Sequence, residues 1–247
     1  MFNNTPFIFP HWEVPSSVHA YSTTRILPEN AVSGCYNGFN LGLHTGDLEA
    51  VVLHNRRCLI ESLALPREPS WVNQVHGSRA VHAEDVSQDT QADAVYTSKP
   101  GVICCMMTAD CLPILMTDAA GGEVAAIHAG WRGLYHGVIE NTVKLFQNKP
   151  SELRAWLGPA IGSQVYEVGH EIYTLFTEAN PEAKKAFLPK QDKWLLNMPM
   201  LAQQYLERLG VYALTSIDAC TYSDPARYFS YRREQNTGRM ATLIWRE

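Results

Sequence analysis

Runs of apolar and β-branched residues, separated by Gly, Pro, Asn and Asp, recur along the chain and are typical of short strands. They predict nine strands, at 18–24, 70–75, 79–83, 102–107, 112–116, 123–128, 154–157, 211–216 and 241–245. Helices are predicted at 48–63, 134–146, 170–179 and 199–209, the last with Asn197 at its start and Gly210 after its end. Because the strands between 70 and 128 follow one another without a helix, the pattern favours an α+β fold over strict β-α-β alternation.

The length and composition of the chain bear on its domain organisation. Its 247 residues are 46% hydrophobic, which allows a substantial core in one large domain or two small ones. Segments with candidate chemistry are scattered from Asn40 to Arg239, so any cut would divide the candidate site. We therefore expect a single catalytic domain over 1–247, without internal repeats or low-complexity tracts.

Charge and the lengths of apolar runs exclude several classes of partner. The formal net charge is -5 and there are no basic clusters, so we expect a small-molecule partner and no nucleic acid. No apolar run approaches the roughly 20 residues of a membrane span. The segment 1–6 lacks the basic start and apolar core of a secretory signal, and six Cys without regular spacing suit a reducing cytosol. These features predict a cytoplasmic protein that does not enter the membrane.

Three short segments, each punctuated by Gly or Pro, carry candidate metal ligands. They are His76 in Asn-Gln-Val-His-Gly, Cys111 in Thr-Ala-Asp-Cys-Leu-Pro and His128 in Ile-His-Ala-Gly-Trp-Arg-Gly. Two imidazoles and one thiolate form the ligand set of a catalytic zinc site, which leaves a fourth position for water or substrate. The spacing matches no local motif, so only the fold can bring these residues together. Taken singly, a His or Cys in an apolar run is more often a buried core residue.

The residues that flank these ligands favour a functional interpretation. Asp110 and Pro113 interrupt the apolar runs around Cys111, which places the thiol at a strand end, where sites are commonly built. His128 ends an apolar run and precedes a Gly-rich turn into a predicted helix, an arrangement that binds anions. Arg132 in this turn adds a cation suited to phosphate or carboxylate. For the glycines alone, a tight turn is the simpler explanation.

These segments and several others resemble the YfiH family, also called the laccase-domain or multicopper polyphenol oxidase family, whose animal relative is FAMIN. The resemblance extends over nearly the whole chain, through the blocks 22–25, 40–42, 73–77, 108–115, 126–134, 157–162, 166–169, 229–233, 237–239 and 244–245. It implies mixed β-sheets packed as a sandwich with helices outside. It also implies a purine nucleoside phosphorylase of broad range, acting on adenosine, inosine and methylthioadenosine, with adenosine deaminase activity in the same site. The zinc ligands that it implies are His76, Cys111 and His128.

Polar residues near these ligands are predicted to bind substrate or to take part in catalysis. The predicted substrate contacts are Asn40, Gln74, Arg132 and Arg232. Phosphorolysis needs cations that hold phosphate, and Arg132 and the pair Arg232-Arg233 are candidates for phosphate or ribose. Asp110, beside the Cys ligand, is a candidate catalytic proton shuttle or a partner that orients an imidazole. For deamination, a zinc site of this kind activates water.

Other functions remain open at this point. A multicopper oxidase needs roughly ten His ligands, largely in His-x-His pairs. This chain has nine His and no such pair, although one copper could replace zinc in a single site. A metal-free dyad of Cys111 and His128, oriented by Asp110, Asn40 or Gln74, would instead make a cysteine amidohydrolase, such as an editor of peptidoglycan precursors. A binding or structural protein is disfavoured because three ligand-bearing segments are present.

Overall fold

The computed structural model describes residues 5–247; residues 1–4, on which part of the secretory-signal argument depends, lie outside the described part. Its strands are β1 (Phe7–Ile8), β2 (Val18–Thr23), β3 (Ala80–His82), β4 (Ala94–Thr97), β5 (Cys104–Thr108), β6 (Leu112–Asp118), β7 (Val124–Ala129), β8 (Leu153–Leu157), β9 (Glu167–Val168), β10 (Phe187–Lys190), β11 (Lys193–Leu196), β12 (Ala213–Ser216) and β13 (Met240–Arg246). Its α-helices are α1 (Glu49–Ser62), α2 (Trp131–Tyr135), α3 (Val138–Val143), α4 (His170–Ala179), α5 (Met198–Arg208) and α6 (Tyr231–Glu234). Each helix in this part of the chain is too short or too polar to cross a lipid bilayer.

Two sheets form the body of the fold. One has the strand order β12-β8-β6-β7-β4-β3, with the pairs β12/β8 and β3/β4 parallel and the others antiparallel. The other sheet is antiparallel and has the order β1-β2-β13-β5. A small third sheet, β10-β11-β9, has β10 at its edge, where Pro189 pairs with Trp194. The α+β class predicted from the sequence is confirmed.

Apolar side chains that alternate along the strands belong to three buried clusters. Leu115 of β6 and Met106 of β5 share the cluster between the two large sheets. On the opposite face of β6, Ile114 belongs to the cluster that contains the apolar sides of α3, α4 and α5. On the outer face of the four-stranded sheet, Leu243 of β13 is clustered with Leu59 of α1. The predicted sandwich of mixed sheets with helices outside is confirmed.

Two predicted elements are wrong for local reasons. The predicted helix 134–146 is two short helices, α2 and α3, because Gly137 between them adopts a left-handed φ of 84°. The predicted strand 70–75 forms only isolated bridges, at Ser70 and Asn73. Beside it, the Gln74 amide rather than a backbone ladder bonds both the N–H and the carbonyl of Met107, each at 2.7 Å.

The structure also adds elements that the sequence pattern does not predict. These are the strands β1, β4, β9, β10 and β11 and the helix α6. β4 has four residues that are all buried, so it shows no alternation of polar and apolar positions. β10 contains Pro189, which argues against a strand except at a sheet edge. By contrast, α4 has its predicted bounds, and Asn197 caps α5 by accepting the N–H of Met200 at 3.0 Å.

Candidate metal centre

The three candidate ligands His76, Cys111 and His128 converge in the folded chain. Their ligand atoms all lie within 4.8 Å of one another. The rings of His76 and His128 are 4.7 Å apart between centroids and are nearly perpendicular, at 77°. Among residues 5–247 no other group of three or more His, Cys, Asp or Glu side chains comes together as a possible metal site.

The strand order explains why residues so distant in sequence meet. Cys111 lies in the short connection from β5 to β6, where the chain passes from the four-stranded to the six-stranded sheet. His128 lies near the end of β7, directly opposite Pro113 of β6, so the sheet register holds it close to Cys111. His76 lies in a loop before β3 and has a left-handed φ of 58°. Gly130 allows the close approach, since a Cβ there would lie 3.0 Å from Cys111 Sγ.

A fourth residue, Asp93, connects two of these ligands and was not predicted from the sequence. Its side chain is fully buried just before β4, and its Oδ1 lies 2.8 Å from Nδ1 of His128. The same carboxylate accepts the backbone N–H groups of Val75, His76 and Gly77 at 3.3, 3.0 and 2.7 Å. The one sequence signal for it is an acidic residue placed directly before the apolar segment 94–97.

The charges of the cluster favour a thiolate at Cys111. Burial alone would raise the pKa of this thiol, but the charge of His128 and hydrogen bonds from His128 and His76 lower it below its usual value. Burial alone would lower the pKa of His128, but the Cys111 thiolate and the hydrogen bond to Asp93 raise it. Without a metal, both pKa shifts favour a thiolate and imidazolium pair. The thiolate is also the form that binds metal.

The donor set fits a zinc ion. Because Asp93 bonds Nδ1 of His128, the other ring nitrogen, Nε2, is left for a metal. Two imidazoles and one thiolate, each offering one atom, match the three protein ligands of a catalytic zinc site and leave a position for substrate. The same donors also suit copper, so they do not by themselves identify the metal.

The hydrogen-bond partners of the Asp110 carboxylate are Thr221, Ser230 and Arg232 rather than an imidazole. Asp110 is buried and has a φ of 96°. Its oxygens accept the hydroxyl groups of Thr221 and Ser230, at 2.6 and 3.0 Å, and the N–H of Arg232, at 2.6 Å. The hydrogen bonds thus tie the Cys111 connection to the segment around α6. The imidazole is oriented by Asp93, which corrects the expectation that Asp110 has this role.

Asn40 and Gln74, predicted substrate contacts, use their side chains to hold the protein backbone. Asn40 is fully buried, donates to Thr45 and Asp47, and accepts the N–H groups of Gly42 and Arg239. Gln74 bonds Met107 with both its oxygen and its nitrogen, as described above. In this conformation both amides have protein partners for their donor and acceptor atoms.

Arg132 and Arg232 lie on the exposed rim of the centre. The Arg132 guanidinium lies 4.3 Å from the ring of Trp131, in the five-residue helix α2. The Arg232 guanidinium lies 5.0 Å from the ring of Tyr166 and donates to the carbonyl of Glu167 at 3.0 Å. Burial, and then the charge of Cys111, raise the pKa of Tyr166, which lies among these groups.

Two other arginines differ from the sequence expectation. Arg233, predicted beside Arg232 as a ligand contact, donates to the carbonyls of Thr221, Tyr222 and Tyr228 at 2.7–2.9 Å, so it is a structural cation. Arg239, which was not predicted, lies within electrostatic reach of Cys111: burial lowers its pKa, and the thiolate acts in the opposite direction. Only the adjacent Thr-Gly pair in a family block pointed to this position.

Comparison with known proteins gives a family and curated relatives. Residues 19–247 match the family model described as multi-copper polyphenol oxidoreductase laccase. A Haemophilus influenzae protein named purine nucleoside phosphorylase is 45% identical over 244 residues, which cover 97% of this chain and 99% of that protein. The Escherichia coli protein named purine nucleoside phosphorylase YfiH is 44% identical over 243 residues, which cover 96% of this chain and 98% of that protein.

Solved structures have the same fold. Protein NMB0706 of Neisseria meningitidis is 39% identical and superposes with a TM-score of 0.93, covering 98% of this chain and 100% of that chain. YlmD of Geobacillus stearothermophilus is 29% identical, with a TM-score of 0.86 and coverage of 98% and 100%. The family description and the names of the curated relatives indicate different chemistry, oxidation in one case and phosphorolysis in the other.

Proposed function

The chain belongs to the multi-copper polyphenol oxidoreductase laccase family, and from its similarity to proteins named purine nucleoside phosphorylase we propose that it is a zinc-dependent enzyme of that activity. The observation that carries the proposal is the cluster of His76, Cys111 and His128, in a chain that is 45% identical to a protein named for this activity. The proposed catalytic unit is the whole chain, because the cluster and the charged groups near it range from His76, before β3, to Arg239, just before β13. All six Cys are unpaired, which suits the cytoplasm as its location.

The proposed substrates are adenosine, inosine and S-methyl-5′-thioadenosine, each with phosphate. A phosphate oxygen forms a bond to the ribose C1′ as the bond from C1′ to the base nitrogen breaks. The base leaves with the bonding electrons and takes up a proton, which gives a free purine and ribose 1-phosphate, or 5-methylthioribose 1-phosphate from S-methyl-5′-thioadenosine. We also propose hydrolytic deamination of adenosine in the same site. Zinc, when bound, supplies a Lewis acid that stabilises developing negative charge.

The protein residues have separate proposed roles. His76, Cys111 and His128 hold the metal. Arg132 and Arg232 lie at the rim, where their cations attract phosphate and hold it near the ribose. Asp110 contributes indirectly, because its carboxylate fixes the backbone of Arg232. Asn40 and Gln74 likewise act through the backbone segments that they hold.

The residues do not support the oxidase chemistry in the family description. Reduction of oxygen by four electrons needs several copper ions close together, and therefore many more ligands than one site provides. The chain has nine His in all, and residues 5–247 contain a single cluster of the required kind. A single copper could occupy that cluster, so metal analysis is part of the test.

One observation favours a second candidate function. Cys111, His128 and Asp93 form a chain of thiol, imidazole and carboxylate, with the Asp93 carboxylate 2.8 Å from Nδ1 of the imidazole. This is the arrangement of a cysteine hydrolase, in which a thiolate attacks an amide carbonyl to form an acyl intermediate. Such an enzyme could remove or exchange amide-linked groups in peptidoglycan precursors. Zinc bound at Cys111 would occupy the nucleophile, so the two functions make opposite predictions about metal.

The experiment measures metal content and phosphate-dependent base release from the three nucleosides, in the wild-type protein and in a Cys111→Ala variant. A Cys35→Ala variant is the matched control, because Cys35 is an exposed thiol outside the cluster. We expect one zinc per chain and phosphorolysis in the wild type and the control. Cys111→Ala should lose both, by more than the roughly 10–100-fold cost of removing a partner behind a metal ligand.

Two results would contradict the zinc-dependent phosphorylase, the first by removing its dependence on the cluster and the second by removing the reaction itself. One is phosphorolysis that persists in Cys111→Ala. The other is a metal-free protein that ignores nucleosides, hydrolyses amides and is inactivated by a thiol alkylating reagent, which would establish the cysteine hydrolase instead. Copper at one ion per chain with full phosphorolysis would retain the reaction and change the cofactor.

A further inference from the structure

We infer that Asp93 is a positioning residue that fixes two of the three metal ligands at once, an inference that rests on the proposed metal-dependent function. No side-chain atom of Asp93 needs to touch substrate for this role. Its carboxylate is completely buried and bonds His128 on one side and the turn that carries His76 on the other. A single group therefore holds two ligands from segments about fifty positions apart in sequence.

The first half of this role is the orientation of the His128 imidazole. An ionised carboxylate is only an acceptor, so the bond of 2.8 Å requires a hydrogen on Nδ1. In the metal-binding form of the ring, that requirement leaves the lone pair on Nε2, the atom that can face the metal. The backbone N–H of His128 also donates to the carbonyl of Asp93, at 2.8 Å, so strand and ring are held by the same residue.

The second half of the role is the conformation of the His76 turn. His76 has a φ of 58°, a left-handed conformation that costs free energy for a residue with a Cβ. Three successive N–H groups, from Val75, His76 and Gly77, point to the Asp93 carboxylate. Successive backbone N–H groups that converge in this way form an anion-binding concavity. Here the anion is a side chain of the protein itself, and it offsets the cost of the turn.

An amide cannot replace the carboxylate in both roles. Oδ1 accepts from His128 Nδ1 and from the N–H of His76, whereas Oδ2 accepts from the N–H groups of Val75 and Gly77. Asparagine has one oxygen, so its NH2 group must face one of these two sets of donors. If the NH2 group faces the first set, the imidazole loses the acceptor that orients it. The backbone N–H of His76 then loses its acceptor as well. If the NH2 group faces the second set, the turn loses two bonds.

The test compares Asp93→Asn with Asp118→Asn in the full-length protein. Asp118 is the matched control: it is also a buried carboxylate that accepts backbone N–H groups, those of Ala120 and Glu123, but it lies at the other end of β6. Zinc affinity is measured by competition with a chelator. Amide hydrogen exchange of residues 75–77 is measured in the metal-free proteins, and imidazole nitrogen NMR of the zinc-loaded proteins reports which His128 nitrogen carries hydrogen.

We expect Asp93→Asn to weaken zinc binding about 10–100-fold, the usual cost of losing a partner behind a metal ligand. Exchange of the amides 75–77 should become faster in the same variant, and Asp118→Asn should leave both quantities at their wild-type values. If Asp93→Asn does not fold, the measurements on the wild type alone test the inference. The inference then requires both slow amide exchange at residues 75–77 and a hydrogen on Nδ1 of His128. Zinc affinity within threefold of the wild type, or unprotected amides at residues 75–77 in the wild type, would overturn the inference.

The hydrogen-exchange measurement also separates this inference from the proposed function. A wild-type protein that binds no zinc would refute the metal-dependent phosphorylase. The metal-free protein would still show whether Asp93 holds the His76 turn, because Asp93→Asn would speed exchange at residues 75–77 and Asp118→Asn would not. Equal exchange in both variants would overturn the inference whatever the metal content.

Discussion

Two buried carboxylates lie close to the metal ligands and stabilise different parts of the protein. Asp93 accepts hydrogen bonds from His128 and from the turn of His76, so its donors belong to the ligands themselves. Asp110 is the neighbour of Cys111 in sequence, but its donors are Thr221, Ser230 and Arg232, which lie more than 100 positions further along the chain. The comparison shows that closeness in sequence to a ligand does not decide which carboxylate orients the site.

The two regions also differ in what their loss would cost. Removing the Asp93 carboxylate changes the positions of ligands that must be in place before a metal binds. Removing the Asp110 carboxylate removes the hydrogen bonds between the connection from β5 to β6 and the C-terminal segment. We therefore expect an effect on metal affinity in the first case and on the free energy of unfolding in the second.

The largest expected effect is on stability, for Asp110→Ala. Two buried hydroxyl groups and the partly buried N–H of Arg232 lose their acceptor, and at about 1 kcal/mol each the free energy of unfolding should fall by about 3 kcal/mol in urea titrations. Asp89→Ala, at an exposed position, should change it by less than about 0.5 kcal/mol. If Asp110→Ala keeps the wild-type urea midpoint but loses zinc as Asp93→Asn does, the two carboxylates do not have the different roles described above.

The next effect is on metal affinity, for a change that touches neither carboxylate. A Cβ at Gly130 would lie 3.0 Å from Cys111 Sγ and 3.3 Å from Cδ2 of His76. Gly130→Ala should therefore push two ligands apart and weaken zinc binding about tenfold, the low end of the range for disturbed ligand positions. Gly122→Ala is the control, because a Cβ there meets nothing closer than 3.7 Å. Unchanged zinc affinity in Gly130→Ala would mean that the ligands adjust freely. Positioning of the ligands by Asp93 would then matter less for zinc binding.

A smaller effect concerns a carboxylate that serves neither region. Glu123 is buried and accepts hydrogen bonds from Tyr96, Gln147 and Asn148. Burial alone would raise the pKa of Glu123, but these hydrogen bonds lower it below its usual value. A lowered folded-state pKa gives stability that is present above the usual Glu pKa and is lost as the pH falls through the folded value. At pH 7 the free energy of unfolding of the wild type should exceed that of Glu123→Gln by about 1 kcal/mol. This difference should vanish at acidic pH.

Urea titrations of both proteins between pH 7 and pH 3 measure this difference. If it stays constant over the whole range, the stabilisation by Glu123 does not depend on its charge.

The smallest effect is expected at the rim. Arg132 is exposed and contacts the face of Trp131, so Arg132→Met should leave the free energy of unfolding within about 0.5 kcal/mol of the wild type. Its proposed role predicts a KM for phosphate about threefold higher, the scale of an exposed ion pair. Arg67→Met, at an exposed position far from the cluster, is the control. Equal KM values for phosphate in the two variants would remove Arg132 from the proposed phosphate site.

The sequence predicted most of the fold because its strands and helices have strong local signals. The predicted strands at 112–116 and 154–157 and the helix at 170–179 lie within one or two residues of β6, β8 and α4. Each of the two failures depends on the conformation or the partner of a single residue. The sequence around Gly137 is compatible with one helix, but the left-handed φ of Gly137 interrupts it. The segment 70–75 has the composition of a strand, but its partner Met107 is bonded by a side chain.

The candidate site divides in the same way. His76, Cys111 and His128 could be selected because each interrupts an apolar segment with a residue able to bind metal. Asp93 could not, because an acidic residue before a strand has no local feature that identifies its partners. Asn40 and Gln74 are predicted to contact substrate because they lie in blocks of the family resemblance, whereas their hydrogen bonds to the backbone depend on the tertiary structure.

The edge of the small third sheet has a consequence for the behaviour of the protein at high concentration. β10 carries the exposed residue Leu188 at this edge, and an exposed apolar edge strand is a template for aggregation between copies. Pro189 follows it and has no N–H to donate, while the next residue, Lys190, is charged and pairs with Glu167 at 2.6 Å. Ladder growth from one molecule to the next is thereby interrupted after a single apolar residue. The hairpin can therefore stay exposed at the sheet edge without promoting fibre-like association.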